Sequence, residues 1–163
     1  MNVADADIER FLLQLTLLPV AECEQIAAAH AGAPYKRDGQ RRLAAEITTL
    51  VHGPEATEAA QEASAILFGG SPAGASAQAL EFLASEVPTS PFDPGLTLAA
   101  ALAATPLASS LSDARRTIDQ GAASVNGEVV IADRPLTDAD LLYDRWLLLR
   151  KGKRNYHLLA VAS

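Results

Sequence analysis

Cysteine is almost absent from this chain: Cys23 stands alone. That excludes an internal disulfide and any cysteine-built zinc site, and it suits a reducing cytoplasm. Histidine is scarce too. His30, His52 and His157 are far apart, and no pair has the H-x-x-x-H spacing that places two imidazoles on one helical face. They read as packing or surface residues, and no metal ligand is expected. No apolar run reaches the roughly 20 residues that span a bilayer, and no basic stretch followed by an apolar core marks a signal peptide. A chain without membrane partners, in the cytoplasm, is expected. The phosphate-loop, dinucleotide and nucleophile-elbow motifs are also missing. The carboxylate pairs Asp5/Asp7 and Asp138/Asp140 stand two apart and diverge on a helix, so they read as solvated first turns. No catalytic residue is expected.

What is present is an alanine-rich apolar half. Hydrophobic residues make up 49% of the chain, enough for a real core, but only one Trp, three Tyr and four Phe are among them. Alanine has the highest helix propensity and little bulk, so closely spaced helices are expected where it concentrates, in the first hundred residues.

The net charge of −7 argues at first against nucleic acid, because phosphate neutralisation dominates such binding. The distribution of that charge points the other way. Residues 1–95 hold five Lys/Arg against thirteen Asp/Glu, and residues 96–163 hold eight against seven. After Asp144 every charged residue is basic: Arg145, Arg150, Lys151, Lys153 and Arg154. Such a local field can draw RNA to one face of an acidic, soluble molecule.

Periodicity predicts an all-helical first part. Ile8, Phe11, Leu12 and Leu15 form an apolar stripe in a helix from Ala4 to Thr16. Further helices are expected from Pro19 to about Ala31, from Asp38 or Gly39 to Val51, from Glu55 to Phe68, and from Ala77 to Ala84. Residues 85–96 carry three prolines and no period, which reads as a linker or wrapping segment. Beyond it, Leu96 to Ala104 and Ser112 to Gln120 look helical, with Ser112 as N-cap. Asn126-Gly127 signals a hairpin between Ala123–Val125 and Val129–Ile131. A second strand pair, Arg145 to Arg150 and Asn155 to Val161, closes a small antiparallel sheet. The expected class is α+β, divided as a helical unit 1–84, a linker 85–96 and a helix-and-hairpin unit 97–163.

The turn Arg150-Lys151-Gly152-Lys153-Arg154 is the sharpest functional signal. Four cations on a tight hairpin repel one another, which makes sense if an anion sits among them; Arg offers forked hydrogen bonds to phosphate and Lys a point charge. The competing reading is an edge guard, since such cations also prevent strand-to-strand aggregation. Trp146 and Tyr156 flank the turn and are candidates either for base stacking or for half-buried packing. Arg115 and Arg116 form a second basic pair, one free for phosphate and one expected to pair with Asp119. Lys36, Arg37, Arg41 and Arg42 form a third cluster at the start of a helix. Cations there oppose the dipole, so an external anion or neighbouring acids must offset them.

These residues carry a resemblance. Ser110-Leu-Ser-Asp-Ala-Arg-Arg-Thr-Ile-Asp-Gln-Gly-Ala-Ala-Ser-Val-Asn-Gly127 resembles the S4-like RNA-binding domain, in which a basic residue, an Ala-Arg pair and a closing Val-Asn-Gly recur. Ala4 to Leu12, Leu43 to Gly53 and Leu67 to Gly70 look like the helical anticodon-binding domain of bacterial tyrosyl-tRNA synthetases, and Leu149 to Tyr156 resembles that family's C-terminal basic strand. The resemblance implies part of a class I, ATP-dependent tyrosine–tRNA ligase. Its helical and S4-like domains clasp the anticodon stem-loop and support the variable arm of tRNA(Tyr). Catalytic domain, ATP and Mg sites would lie upstream, outside this chain, and the whole enzyme would be a homodimer. It points to Ser112, Arg115, Arg116, Arg150, Lys151, Lys153, Arg154, Arg37, Arg41 and Arg42 as RNA contacts, and to Asp5 or Asp7 as readers of an anticodon base. Two positions depart from the pattern. Leu111 stands where S4-like domains carry Arg or Lys, and Leu13-Gln14 replaces a position that is often basic. A free-standing S4-like protein of the ribosome or of translation rescue, and a protein-interaction module, are the alternatives.

Overall fold

In the computed structural model of the protein, residues 3–161 are described; the ends of the two expected units, 1–2 and 162–163, lie outside the described residues. The chain forms two compact units that divide between Glu58 and Ala59.

The first unit is helical. A 3-10 turn Asp5–Asp7 leads into α1 (Ile8–Leu15), followed by α2 (Val20–Gly32), a 3-10 turn Pro34–Lys36, α3 (Asp38–His52) and the first turn of α4 (Pro54–Leu67). Ile8 and Leu12 of the predicted stripe are buried with Cys23 and Leu43, and Phe11 packs at the edge. Leu15 stays 47% exposed. Gly39 permits the closest approach in this core: a Cβ there would stand 2.9 Å from both the His30 ring and Ile8.

The second unit contains the rest of α4, then α5 (Ala77–Glu86), β1 (Thr89–Pro91), α6 (Leu98–Ala104), α7 (Leu111–Asp119), β2 (Ala123–Val125), β3 (Glu128–Val130), a 3-10 turn Asp138–Asp140, β4 (Trp146–Lys151) and β5 (Asn155–Ala160). The α+β class read from the sequence is the one the structure has. The sheet, in the order β1-β5-β4-β2-β3, is mixed rather than purely antiparallel, because β1 runs parallel to β5. Pro91, which has no N–H to donate, sits at the end of this edge strand.

Side chains alternate across β4 and both faces are covered. Leu147 and Leu149 pack with Leu98, Leu102, Ala114 and Ile118 of α6 and α7. Trp146 and Leu148 pack with Ala59, Ala63, Ile66, Leu80 and Leu83 of α4 and α5. Trp146 and Tyr156 are therefore core residues with no face free for a base. Tyr156 donates its hydroxyl to the Ile66 carbonyl at 3.1 Å. The stretch 85–96 carries β1 within this same unit, held by a His157–Ser90 side-chain hydrogen bond of 2.8 Å. The predicted β2–β3 hairpin is present. Asn126 and Gly127 both take positive φ, and Val125 pairs with Glu128 across them, the two-residue turn that matches strand twist.

Candidate nucleic-acid interface

In the second unit two basic elements meet at one carboxylate. α7 begins at Leu111, and its N-cap is Ser110, whose hydroxyl accepts the Asp113 N–H at 3.2 Å. The cap expected at Ser112 thus lies two residues earlier, because Ser110 has the extended backbone a cap requires. Ser112 itself is exposed on the first turn. Asp113 turns back and accepts the Ser109 N–H at 3.1 Å. The same oxygen accepts the Lys151 ammonium at 3.0 Å, and its neighbour accepts Arg116 at 3.3 Å. One acid thereby ties the start of α7 to the end of β4.

The four cations of the β4–β5 turn are consequently not equivalent. Arg150 is half-buried and donates to the Ser124 hydroxyl at 3.1 Å. Lys151 is held by Asp113. Lys153 and Arg154 are exposed at the tip, and among the described residues neither side chain has a hydrogen-bonding or ionic partner. On α7, Arg115 is exposed in the same condition, whereas Arg116 is paired. Its partner is Asp113, three residues back, rather than the expected Asp119, since Asp113 already lies inside a cluster of donors. Leu111 is 41% exposed at the head of the helix.

Lys151, the Ser109 backbone and Arg116 hold the Asp113 carboxyl at about 2, well below its ordinary 3.8. A depressed pKa adds stability above the unfolded-state value, which is lost as pH falls through the folded one. Between pH about 4 and about 2 the unit's thermal midpoint is expected to fall, and Asp113→Asn to remove that part of the fall. An acid limb identical in wild type and variant would refute the assignment. Asp140, held low by Arg134 and Thr137, acts in the same direction.

In the first unit the basic cluster is offset by neighbouring acids. Arg41 pairs with Asp38, and Arg42 pairs with Glu22 at 2.9 Å and Glu46 at 2.7 Å. Arg37 takes a left-handed φ of 56° at the head of α3. Asp5 and Asp7, alike in sequence, differ in setting. Asp7 pairs with Arg10 at 3.0 Å. Asp5 accepts Gln40 at 2.6 Å and hydrogen-bonds the buried His30 at 3.0 Å, and these two hold its carboxyl below the usual range. Its side chain remains 61% exposed and lines an open cavity of about 580 Å³ with Tyr35, Arg37 and Gln40.

Residues 79–159 match the family model described as tyrosine–tRNA ligase SYY-like C-terminal domain. The tyrosine–tRNA ligase of Corynebacterium efficiens is 42% identical over 161 residues, 96% of this chain and 38% of that protein. Those of Anaeromyxobacter dehalogenans and Nocardia farcinica are 42% and 43% identical, over 99% and 95% of this chain and 40% and 38% of theirs. The chain belongs to the tyrosine–tRNA ligase family.

It spans about two fifths of the length of the relatives it matches, in their C-terminal region. The segment 79–159 that matches the ligase C-terminal domain contains the whole basic site, from Arg115 to Arg154. It also contains the residue sequence reasoning overlooked. Asp113 stands in the first turn of α7, and its partner Lys151 is 38 residues away. The only local hint was an acid three positions before a basic residue. Among the described residues no helix is long and apolar enough to cross a membrane.

Proposed function

We propose that this chain is the tRNA(Tyr)-binding C-terminal region of a tyrosine–tRNA ligase. The reading is supported above all by the exposed Arg115, Lys153 and Arg154, partnerless among the described residues, inside the segment similar to the ligase C-terminal domain. Unpaired cations on an acidic chain are stabilised by phosphate, and phosphate contacts fix the position of a protein on its nucleic acid. In this reading the second unit is an S4-like RNA-binding domain that meets the tRNA backbone, and Ser112, Arg116 and Arg150 border its contact surface, while Lys151 is engaged by Asp113. Arg37, Arg41 and Arg42 of the helical unit face the RNA more weakly, because their charges are largely met by acids. Asp5 or Asp7 reads an anticodon base edge. A carboxylate accepts base N–H donors, and Asp5 is the better placed, being kept ionised and aimed by Gln40 and His30.

The whole enzyme would attach tyrosine to tRNA(Tyr) in the cytoplasm as a homodimer, with this region supporting the anticodon stem-loop and variable arm. ATP and magnesium would belong to its catalytic part. Among the described residues no group of three or more His, Cys, Asp or Glu could hold a metal ion, and no step of the chemistry is assigned to them. A gel-shift titration of this chain with tRNA(Tyr) and with a non-cognate tRNA tests the reading. Tighter binding of tRNA(Tyr), weakening steeply with salt, is expected. Equal affinity for both would remove the recognition claim, and no binding would remove the reading.

A further inference from the structure

We propose that Asp113 is a positioning residue that withdraws Lys151 from RNA contact and locks the head of α7 to the end of β4, so that Arg115 and the Lys153–Arg154 tip present a fixed pair of phosphate sites. The inference rests on the tRNA-binding reading and deepens it. By sequence alone Lys151 is one of four equivalent cations in a tight turn. By geometry it differs from the other three, since its ammonium lies 3.0 Å from Asp113 Oδ2. Both partners are half-buried, at 29% and 21% side-chain exposure, so the pair is screened less than a surface ion pair.

The carboxylate cannot easily release it. Asp113 also accepts the Ser109 N–H at 3.1 Å, the Ser109 hydroxyl at 3.4 Å and Arg116 at 3.3 Å. Its own N–H is taken by Ser110. Asp113 is thus fixed in place before Lys151 arrives. From Arg145 to Val161 the chain has no acid, so no other carboxylate on β4 or β5 competes for Lys151. The backbone reinforces the junction, because Gly152 N–H donates to the Ala122 carbonyl at 2.8 Å, just ahead of β2. A cation spent on positioning releases no counterion when RNA binds, whereas a cation on phosphate does, and the salt dependence of affinity counts the difference.

The experiment measures the slope of log affinity against log salt for the 163-residue chain with a tRNA(Tyr) transcript. Lys153→Met is expected to shallow the slope by about 0.7–0.9, the share of one phosphate contact. Lys151→Met is expected to leave it unchanged. Asp113→Asn, which frees Lys151, is expected to steepen it by a similar 0.7–0.9 and to narrow the preference for tRNA(Tyr) over a non-cognate tRNA. A cap or packing role alone would lower the melting temperature without steepening the slope. The inference is overturned if Lys151→Met shallows the slope as much as Lys153→Met, and that comparison stands even where Asp113→Asn fails to fold. Absence of binding by the unaltered chain would instead sink the tRNA reading, and this inference with it.

Discussion

Replacing Lys153 and Arg154 together by glutamate is expected to abolish measurable binding of tRNA(Tyr) at physiological salt while leaving the fold intact. Both side chains are exposed at the β4–β5 tip, and among the described residues neither has a hydrogen-bonding or ionic partner that its loss would strand. Nothing in the core depends on them. A hydrogen bond to a charged group contributes about 1.5–3 kcal/mol, so each lost contact weakens binding roughly 10- to 100-fold. Reversal adds repulsion from the phosphates. The salt slope should shallow by about one for each contact removed. Filter binding at several salt concentrations, beside a thermal melt, reads both quantities. Full affinity in the double variant would leave the turn as an edge guard and return weight to a protein-interaction role.

The second large effect is on stability. Leu147→Ala is expected to destabilise the second unit by about 2–5 kcal/mol, the range for emptying a buried leucine site. Leu147 is fully buried on a strand that is paired on both sides. It pairs with Leu159 of β5 and faces α6 and α7, so no flexible neighbour can collapse into the gap. At roughly 4–8 °C per kcal/mol for a domain near this size, the melting temperature should fall by more than 10 °C in a scanning-calorimetry trace. RNA binding should weaken only near that transition, because Leu147 lies away from Lys153 and Arg154 in the chain. A loss under about 1 kcal/mol would show that the sheet is less tightly enclosed than the burial of Leu147 and Leu149 implies.

The helices were legible because their signals are local. Pro19, Gly53 and Pro54 bound α2, α3 and α4 within a residue or two of expectation, and the Asn126-Gly127 turn is a two-residue signal with one geometric solution. What was not legible depends on partners distant in sequence. β1 has three residues, Thr89–Pro91, directly after Pro88, a composition that reads as linker. Only its pairing with β5, Thr89 against Leu158, makes it a strand. The compact division inside α4 has the same origin. Ala59, Ala63 and Ile66 look like any Ala-rich helical face until Trp146 and Leu148 are set against them. Alternation along β4 suggested a half-buried strand with room for a stacking Trp146, yet helices cover both of its faces.

The basic site divides along the same line. That the charged residues after Asp144 are uniformly cationic is visible in a string of letters, but which of those cations is occupied is not. Arg150 is taken by Ser124 and Lys151 by Asp113, 26 and 38 residues away. In the helical unit the offsetting acids were anticipated as one of two possibilities. Asp38 and Glu46 stand three and four residues from their arginines, whereas Glu22 comes from a different helix.

The order of the strands has a consequence for how the second unit is made. β5 is the last of the described strands, yet it lies inside the sheet, with β1 on one side and β4 on the other. On an emerging chain, β1 therefore has no partner until some 70 later residues have been added, since its register is Thr89 to Leu158. Trp146, Leu147 and Leu148 would in turn have one edge open until their β5 partners, Ala160, Leu159 and Leu158, are added. Long-range closure of this kind slows folding, and it makes completion of the core all-or-none. Until β5 is in place the tip carrying Lys153 and Arg154 does not exist as a turn, so the unit acquires this exposed pair of cations and its stability in one event.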